Sequence, residues 1–159
     1  MRLTGYDPIG TFIICSGAIR VADPCYDQDT WCMGTLKNAK NGTWKAFIKR
    51  KDEGDWGVRN SRITIIHESA VVSKTKLGTH LKSTIGVDSG QAGFFDSDRN
   101  TWDDKQYDEV CGQTLETDLS AGVIDRGAVS SSGLGDESYH CYYGVDEKGE
   151  VIAAEIRFL

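Results

Sequence analysis

The sequence has few prolines and no long apolar run. Its 159 residues include only 2 Pro against 18 Gly, a composition that suits many tight turns and few rigid linkers. The apolar run Phe12–Cys15 is far shorter than the roughly 20 residues that a membrane-spanning helix needs. A basic start followed by a longer apolar stretch, as in a secretion signal, is also missing. We therefore expect a cytoplasmic protein with no membrane segment, folded as a single domain over residues 1–159.

The cysteines and histidines follow no recognisable metal-binding or disulfide pattern. The five cysteines are Cys15, Cys25, Cys32, Cys111 and Cys141, an odd number that contains no C-x-x-C pair. The 3 histidines lack the H-x-H and H-x-x-x-H spacings that many zinc sites use. These features favour reduced thiols in a cytosol over a disulfide framework.

The net charge of −6 is unevenly distributed along the chain. Residues 1–80 hold 12 Lys/Arg and 8 Asp/Glu, whereas residues 81–159 hold 6 and 16. An acidic chain is a poor candidate for general nucleic-acid binding, which needs a positive surface to displace counterions. Six Lys/Arg lie in Lys37–Lys51, but the alternation over 43–48 indicates a half-buried strand with its lysines in water. The uneven distribution still favours a bipolar surface for a charged partner, unless folding interleaves the two halves.

Period-two alternation predicts a fold built mainly from β-hairpins. Residues 10–23 are predicted to form one hairpin, with two β-branched runs joined by Ser16 and Gly17. A second hairpin is expected over 43–67, with a polar turn at 51–55, and a short strand over 84–88. The clearest alternation is at 139–158, where both arms show it around a turn at 146–149.

One helix is predicted near 102–117. Trp102, Tyr107 and Val110 fall close to helical spacing, and Asp103 and Asp104 would occupy its first turn, where the helix dipole favours carboxylates. The predicted architecture is therefore mainly β, an antiparallel sandwich or open barrel of hairpins with this one peripheral helix.

Four segments taken together resemble a known family. They are Ile19–Tyr26, Val87–Asp96, Val129–Tyr139 and the closing hairpin. In that order they are similar to a family of small bacterial and phage proteins that is classed as a domain of unknown function. The resemblance extends from about Gly10 to Phe158. The resemblance implies that the three Asp/Gly loops belong together, and it implies no particular activity or cofactor. Glu137 stands where the family often has Gly after a Gly-Asp pair, so a tight turn is not expected there.

The loops are the predicted ligand-binding surface, because loops on a rigid sheet commonly carry recognition. The candidate residues are Asp23, Cys25, Tyr26, Asp88, Gly90, Gln91, Gly135 and Asp136. Turn formation alone also explains Asp and Gly at these positions. Cys25 would act as a nucleophile only with a lowered pKa and a base, for which the histidines are the candidates. The carboxylates of Asp23, Asp88, Asp96 and Asp136 would form a hydrolytic pair only if the fold brings two of them together.

Asp96, Asp98 and Asn100 have the D-x-D-x-N spacing that places oxygen ligands around a calcium ion. The pattern then departs from the calcium-binding loop. Thr101 replaces the glycine of the sharp turn, and Tyr107 replaces the closing glutamate. A solvated acidic turn is therefore expected, and the alternative is a calcium site of another type that draws on Asp88 or Asp136.

The sequence favours a non-enzymatic binding module over an enzyme. Its partner is expected to be a protein or a small anionic ligand, in an immunity, accessory or phage counter-defence role. The alternative is a hydrolase that uses Cys25, or carboxylates with a metal. No cofactor is predicted, and the sequence does not determine the oligomeric state.

Overall fold

The computed structural model describes residues 1–27, 30–98 and 104–159, in which two antiparallel sheets pack face to face. In chain order the strands are β1 (Tyr6–Ile14), β2 (Ala18–Ala22), β3 (Gly34–Lys37), β4 (Gly42–Asp52), β5 (Val58–His67), β6 (Thr79–His80), β7 (Ile85–Gly86), β8 (Gln91–Asp96), β9 (Ala121–Ile124), β10 (Gly127–Ser131), β11 (Ser138–Val145) and β12 (Val151–Arg157). The α-helix is α1 (Asp104–Leu115), and two short 3-10 helices lie at Gly54–Trp56 and Val72–Lys74.

The larger sheet has the strand order β1-β4-β5-β12-β11-β6, and β7 also pairs with β11. The smaller sheet has the order β3-β2-β8-β10-β9. The predicted mainly β sandwich with one helix is thus confirmed, and the sheets do not close into a barrel. The helix is confirmed over Asp104–Leu115, while the predicted positions 102 and 103 lie outside the described residues.

Two of the predicted hairpins are confirmed and one is wrong. β4 pairs with β5, and β11 pairs with β12, as the alternation predicted. The two arms predicted over 10–23 do not pair with each other, because β1 pairs with β4 whereas β2 pairs with β3 and β8. The Ser-Gly turn carries the chain from one sheet to the other instead, and the Gly17 N–H donates to Asn41 Oδ1 at 2.7 Å. The sequence pattern of two short apolar runs does not distinguish a hairpin from a connection between two sheets, because in both cases the runs face a core.

The core lies between the two sheets. Trp44, Ala46 and Ile48 alternate along β4 and are buried, and they belong to the same apolar cluster as Val21 and Phe94 of the smaller sheet. Burying a side chain of the size of Val, Ile or Phe stabilises the fold by about 1.5–3 kcal/mol relative to an exposed position. The interior of the sandwich therefore fixes which face of each strand points outward.

The smaller sheet is covered on its second face by α1. Val110 of the helix packs with Phe95, Ile124 and Val129 in a second buried cluster. This explains why all six residues of β8 are buried, although a strand with one solvent face would alternate. Nowhere in the described ranges does a helix have the length and apolar character needed to traverse a bilayer.

Candidate functional site

Three loops meet at one end of the smaller sheet. They are residues 23–27 after β2, residues 87–90 before β8, and residues 132–137 after β10. They meet because β8 is antiparallel to both of its neighbours, so its beginning lies beside the ends of β2 and β10. We call the surface that these loops form, together with the adjacent Trp31, the loop face. The loops that carry most of the predicted ligand-binding residues therefore come together.

Asp23 joins the first two loops. Its side chain is fully buried and accepts hydrogen bonds from the Cys25 N–H at 2.8 Å and the Asp88 N–H at 2.8 Å. It also accepts from the Ser89 N–H at 2.7 Å and the Ser89 hydroxyl at 2.6 Å. Both carboxylate oxygens are thus occupied by two donors each. The geometry gives Asp23 the role of holding the loops in place, and leaves it no surface to offer a ligand.

Asp136 and Tyr139 fix the third loop. Asp136 Oδ1 accepts from the Gly90 N–H at 2.9 Å, and the Tyr139 hydroxyl donates to the Gly135 carbonyl at 2.6 Å. Gly90 and Gly135 have φ of 71° and 125°, in the region that glycine tolerates best. Glu137 is not among the described residues with positive φ, and its carbonyl accepts from the Val87 N–H at 2.9 Å. Glu137 therefore joins the third loop to the loop before β8 through its backbone.

Cys25 lies on the loop face, but its surroundings disfavour a thiolate. The pKa of the Cys25 thiol is raised to about 12, and the largest cause is partial burial. The hydrogen bond and negative charge of Asp23 and the negative charge of Asp88 raise it as well. A cysteine nucleophile needs the opposite shift. The three candidate bases, His67, His80 and His140, all lie on strands of the larger sheet, whereas Cys25 follows a strand of the smaller one.

Gln91 points away from the loop face. It is buried, its amide nitrogen lies 3.4 Å from Cys111 Sγ, and its carbonyl oxygen accepts from the Thr114 hydroxyl at 2.9 Å. Both partners belong to α1. Gln91 therefore helps to dock the helix on the sheet, because it is the first residue of a strand whose alternate side chains face opposite sides.

The predicted calcium ligands lie at the other end of β8. Asp96 is buried, and its carboxylate accepts from the Cys15 N–H at 2.7 Å and the Asp98 N–H at 3.1 Å. The Arg126 guanidinium also donates to it, with Nε at 2.9 Å. Arg126 thus supplies the positive charge that a calcium ion would bring. Asn100 lies outside the described residues, and within the described part of the chain no three His, Cys, Asp or Glu side chains are grouped as a metal site.

Hydrogen bonds and Arg126 also stabilise the ionised form of Asp96. Burial opposes ionisation, but the donors from Ser16, Cys15, Arg126 and Asp98 together hold the pKa of Asp96 below its ordinary value. The buried carboxylate consequently acts as a structural anion that joins β8 to the turn after β1.

A shallow cleft of about 420 Å³ runs along the loop face. Its lining includes two aromatic residues, Tyr26 and Trp31, and three acidic residues, Asp88, Asp136 and Glu137. The Tyr26 hydroxyl donates to Asp88, and all three carboxylate residues are exposed. Of the described residues lining the cleft, none is Lys or Arg. The cleft is consequently acidic, which suits a cationic group and repels an anionic one.

Trp31 was missed by the sequence reasoning. Its side chain is 90 % exposed beside the cleft, although Trp is normally among the more buried residue types. The available signal was its position in a polar stretch that lacks strand alternation. A tryptophan in such a stretch has no sheet face to pack against.

A second polar cluster, also missed, lies on the outer face of the larger sheet around Glu155. This carboxylate is 1 % exposed and accepts from the Tyr6 hydroxyl at 3.0 Å and the Thr64 hydroxyl at 2.7 Å. Arg62 and Arg157 form ion pairs with it at 3.2 Å and 2.7 Å. Sequence alone does not indicate this cluster, because Tyr6, Arg62 and Thr64 lie 149, 93 and 91 residues from Glu155.

Comparisons of the chain with protein-family models, with curated proteins and with solved structures found no match.

Proposed function

We propose that the protein is a non-enzymatic binding module that uses the loop face to bind a positively charged surface of a protein partner. The observation that carries this proposal is the 90 % exposure of Trp31 at the rim of the acidic cleft. Tryptophan is among the residues that contribute most to binding energy at protein interfaces. An exposed indole costs free energy in water that a partner recovers by covering it.

The charges of the cleft define the partner. Asp88, Asp136 and Glu137 line it, so a partner with Lys or Arg side chains gains favourable interactions there. A small anionic ligand, the other partner expected from the sequence, is repelled by the same carboxylates. The charge of the loop face therefore favours a protein partner with basic side chains over a small anionic ligand.

The loop face is held rigid before binding. Asp23 and Asp136 tie the three loops together through backbone N–H groups, so the loops need not be ordered by a partner. A preorganised surface loses less conformational entropy on association. This supports a recognition surface on a fixed scaffold.

The resemblance to small bacterial and phage proteins supports an immunity, accessory or counter-defence role. In such a role, an acidic protein covers a basic surface of its target. Complementary charge speeds the encounter of the two proteins and makes their association sensitive to salt.

The proposal is tested by a matched pair of tryptophan variants. Trp56 is also exposed, at 67 %, but it lies in the turn between β4 and β5 of the larger sheet. Proteins of the source organism that co-purify with the wild type are quantified by mass spectrometry, and the same measurement is made with Trp31→Ala and Trp56→Ala. Any specific partner is then purified and titrated against all three proteins by calorimetry.

We expect a partner whose affinity falls at least about thirtyfold in Trp31→Ala, which corresponds to the roughly 2 kcal/mol typical of an interface hot spot. Its affinity should be unchanged in Trp56→Ala. Asp136→Lys should weaken the same complex further at low salt than at high salt. Equal affinities for the two tryptophan variants, or stronger binding by Asp136→Lys, would refute the proposal.

A further inference from the structure

The outer face of the larger sheet carries a row of cationic and aromatic residues in register. Five residues lie directly opposite one another across β1, β4, β5, β12 and β11, and they are Tyr6, Lys49, Arg62, Arg157 and His140. Residues that pair directly across strands point to the same side of a sheet. Neighbouring residues on these strands, such as Ile63 and Ile156, belong to the buried core, so the row points away from the smaller sheet.

Glu155 positions the two arginines of this row. Its Oε1 atom accepts from Arg62 Nη1 and from Arg157 Nε, and its Oε2 atom accepts from the hydroxyls of Tyr6 and Thr64. The carboxylate therefore has two donors on each oxygen. Arg157 is also held by Tyr142, whose ring centroid lies 3.8 Å from the guanidinium carbon. The guanidinium groups are fixed before any ligand arrives.

A covering segment turns this part of the sheet into a pocket. Residues 71–77 cross the outer face, and the Met1 nitrogen donates to the Val72 carbonyl at 3.1 Å. The segment approaches the sheet so closely that a Cβ atom on Gly144 would lie 2.2 Å from the Lys76 carbonyl oxygen. The resulting cavity, here called the arginine pocket, has a volume of about 380 Å³ and is lined by Arg2, Tyr6, Arg62, Lys76, Glu155 and Arg157 among others.

The arginine pocket concentrates positive charge in an acidic protein. Four basic residues line it, against one acidic residue, Glu155, although the chain as a whole has a net charge of −6. The side chains of Arg62 and Arg157 remain 34 % and 35 % exposed. Their bonds to Glu155 use one N–H group of each guanidinium, and a guanidinium has five. Each arginine therefore has further donors to offer a ligand.

We propose that the arginine pocket binds the phosphate group of a small molecule. Two guanidinium groups held side by side match the oxygens of a phosphate through paired N–H donors, and Lys76 and Arg2 add charge around the same cavity. A dianionic group balances the excess positive charge better than a single carboxylate does. This site is separate from the loop face and independent of the protein partner proposed for it.

Aromatic rings beside the arginine pocket extend the site. The rings of His80 and Tyr142 have centroids 6.1 Å apart, and those of His80 and His140 are also 6.1 Å apart. Both histidines are exposed. A planar group attached to the phosphate would find these rings next to the guanidinium of Arg157. Free phosphate and a phosphate ester with a planar ring are the two sources of the same chemistry.

The test is calorimetric titration of the full chain with inorganic phosphate at constant ionic strength, with wild type, Lys76→Gln and Arg157→Lys. Lys105→Gln is the matched control, since Lys105 is exposed on α1, which packs against the other sheet. We expect affinity to fall at least about tenfold in both pocket variants, as for a charge-assisted hydrogen bond, and to be unchanged in the control. Arg157→Lys keeps the charge, so its loss of affinity reports the paired donor geometry.

A second titration with adenosine monophosphate distinguishes the two sources. Binding at least about tenfold tighter than inorganic phosphate, with the difference lost in His140→Ala, assigns the site to a ring-bearing phosphate ester; equal affinities assign it to phosphate itself. The proposal is overturned if wild type binds neither ligand, or if Lys105→Gln weakens binding as much as the pocket variants do. A single-stranded oligonucleotide is titrated as well, and binding of the oligonucleotide alone would also overturn the proposal. Trp31→Ala should leave phosphate affinity unchanged, which separates this result from the outcome for the loop face.

Discussion

The carboxylate of Asp23 accepts a hydrogen bond from the backbone N–H of Asp88, which lies 65 residues further along the chain, at 2.8 Å. The same carboxylate also accepts from both the N–H and the hydroxyl of Ser89. One buried side chain thus joins the loop that leaves β2 to the loop that enters β8. The loop face depends on it, because the strands alone do not fix the conformation of the loops beyond their ends.

Replacing Asp23 with Asn should destabilise the fold by about 3 kcal/mol. An amide NH₂ group would face N–H donors where a carboxylate oxygen now accepts, which leaves buried polar groups without partners. Urea denaturation monitored by tryptophan fluorescence measures the change. Asp108→Asn removes the same charge from an exposed position on α1 and should change the free energy of unfolding by less than about 0.5 kcal/mol. Similar losses in both variants would show that Asp23 does not hold the loops.

Cys25 should react slowly with an alkylating reagent in the folded protein. Since its pKa is raised to about 12, its thiolate is scarce at pH 8, and the rate should be roughly a thousandfold below that of the same cysteine in urea. The rate should rise with pH up to about 12, and Asp88→Asn should increase it at pH 8, because the Asp88 charge contributes to the shift. Peptide mass spectrometry resolves the five cysteines. Rapid labelling of Cys25 at neutral pH would instead favour the hydrolase alternative.

Acid should weaken the fold partly through Asp96. Its pKa is lowered in the folded state, so its ionised form contributes stability above the unfolded value of about 3.8, and this contribution is lost as the pH falls through the lower folded value. We expect Asp96→Asn to flatten the dependence of the free energy of unfolding on pH below about 5, as measured by urea denaturation. Asp98 is 68 % exposed and lies 3.8 Å from Arg126. Asp98→Asn should retain most of the slope, and an unchanged slope in Asp96→Asn would contradict the assignment.

Gly93 should tolerate no side chain. A Cβ atom there would lie 2.0 Å from the Ala128 carbonyl oxygen of the neighbouring strand, and backbone cannot move aside without breaking the ladder. Gly93→Ala should therefore cost about 3 kcal/mol or more of unfolding free energy, at the upper end for overpacking. Gly78 has open space around its Cβ position, so Gly78→Ala should be neutral or slightly stabilising in the same thermal and urea measurements. A Gly93→Ala protein as stable as wild type would show that the two strands can separate at this point.

Local patterns predicted the strands better than they predicted the strand partners. The period-two runs at 43–67 and 139–158 form hairpins because each is closed by a polar turn between arms of similar length. The runs on either side of Ser16 and Gly17 looked equally suitable, yet they lie in different sheets. Their apolar side chains gain more from the shared core between the sheets than from pairing with each other, and that comparison involves strands far away in sequence.

The candidate sites show the same division. Asp23, Asp88 and Asp136 could be selected from sequence because Asp and Gly mark turns, and antiparallel strands bring alternate turns to one end of a sheet. The arginine pocket could not be selected in this way. Arg62 and Glu155 are 93 residues apart and meet only because β5 and β12 are neighbours.

The sequence by itself determined the strands through period-two alternation, the one helix through its helical spacing, and the turns through their Asp and Gly residues. Only the tertiary structure decided which strands pair, that Asp23 is a buried tie between loops, and that four basic residues line one pocket around Glu155 in a protein of negative net charge. The reason is physical: strand formation depends on residues two apart, whereas strand order depends on burying the faces of all strands in one core.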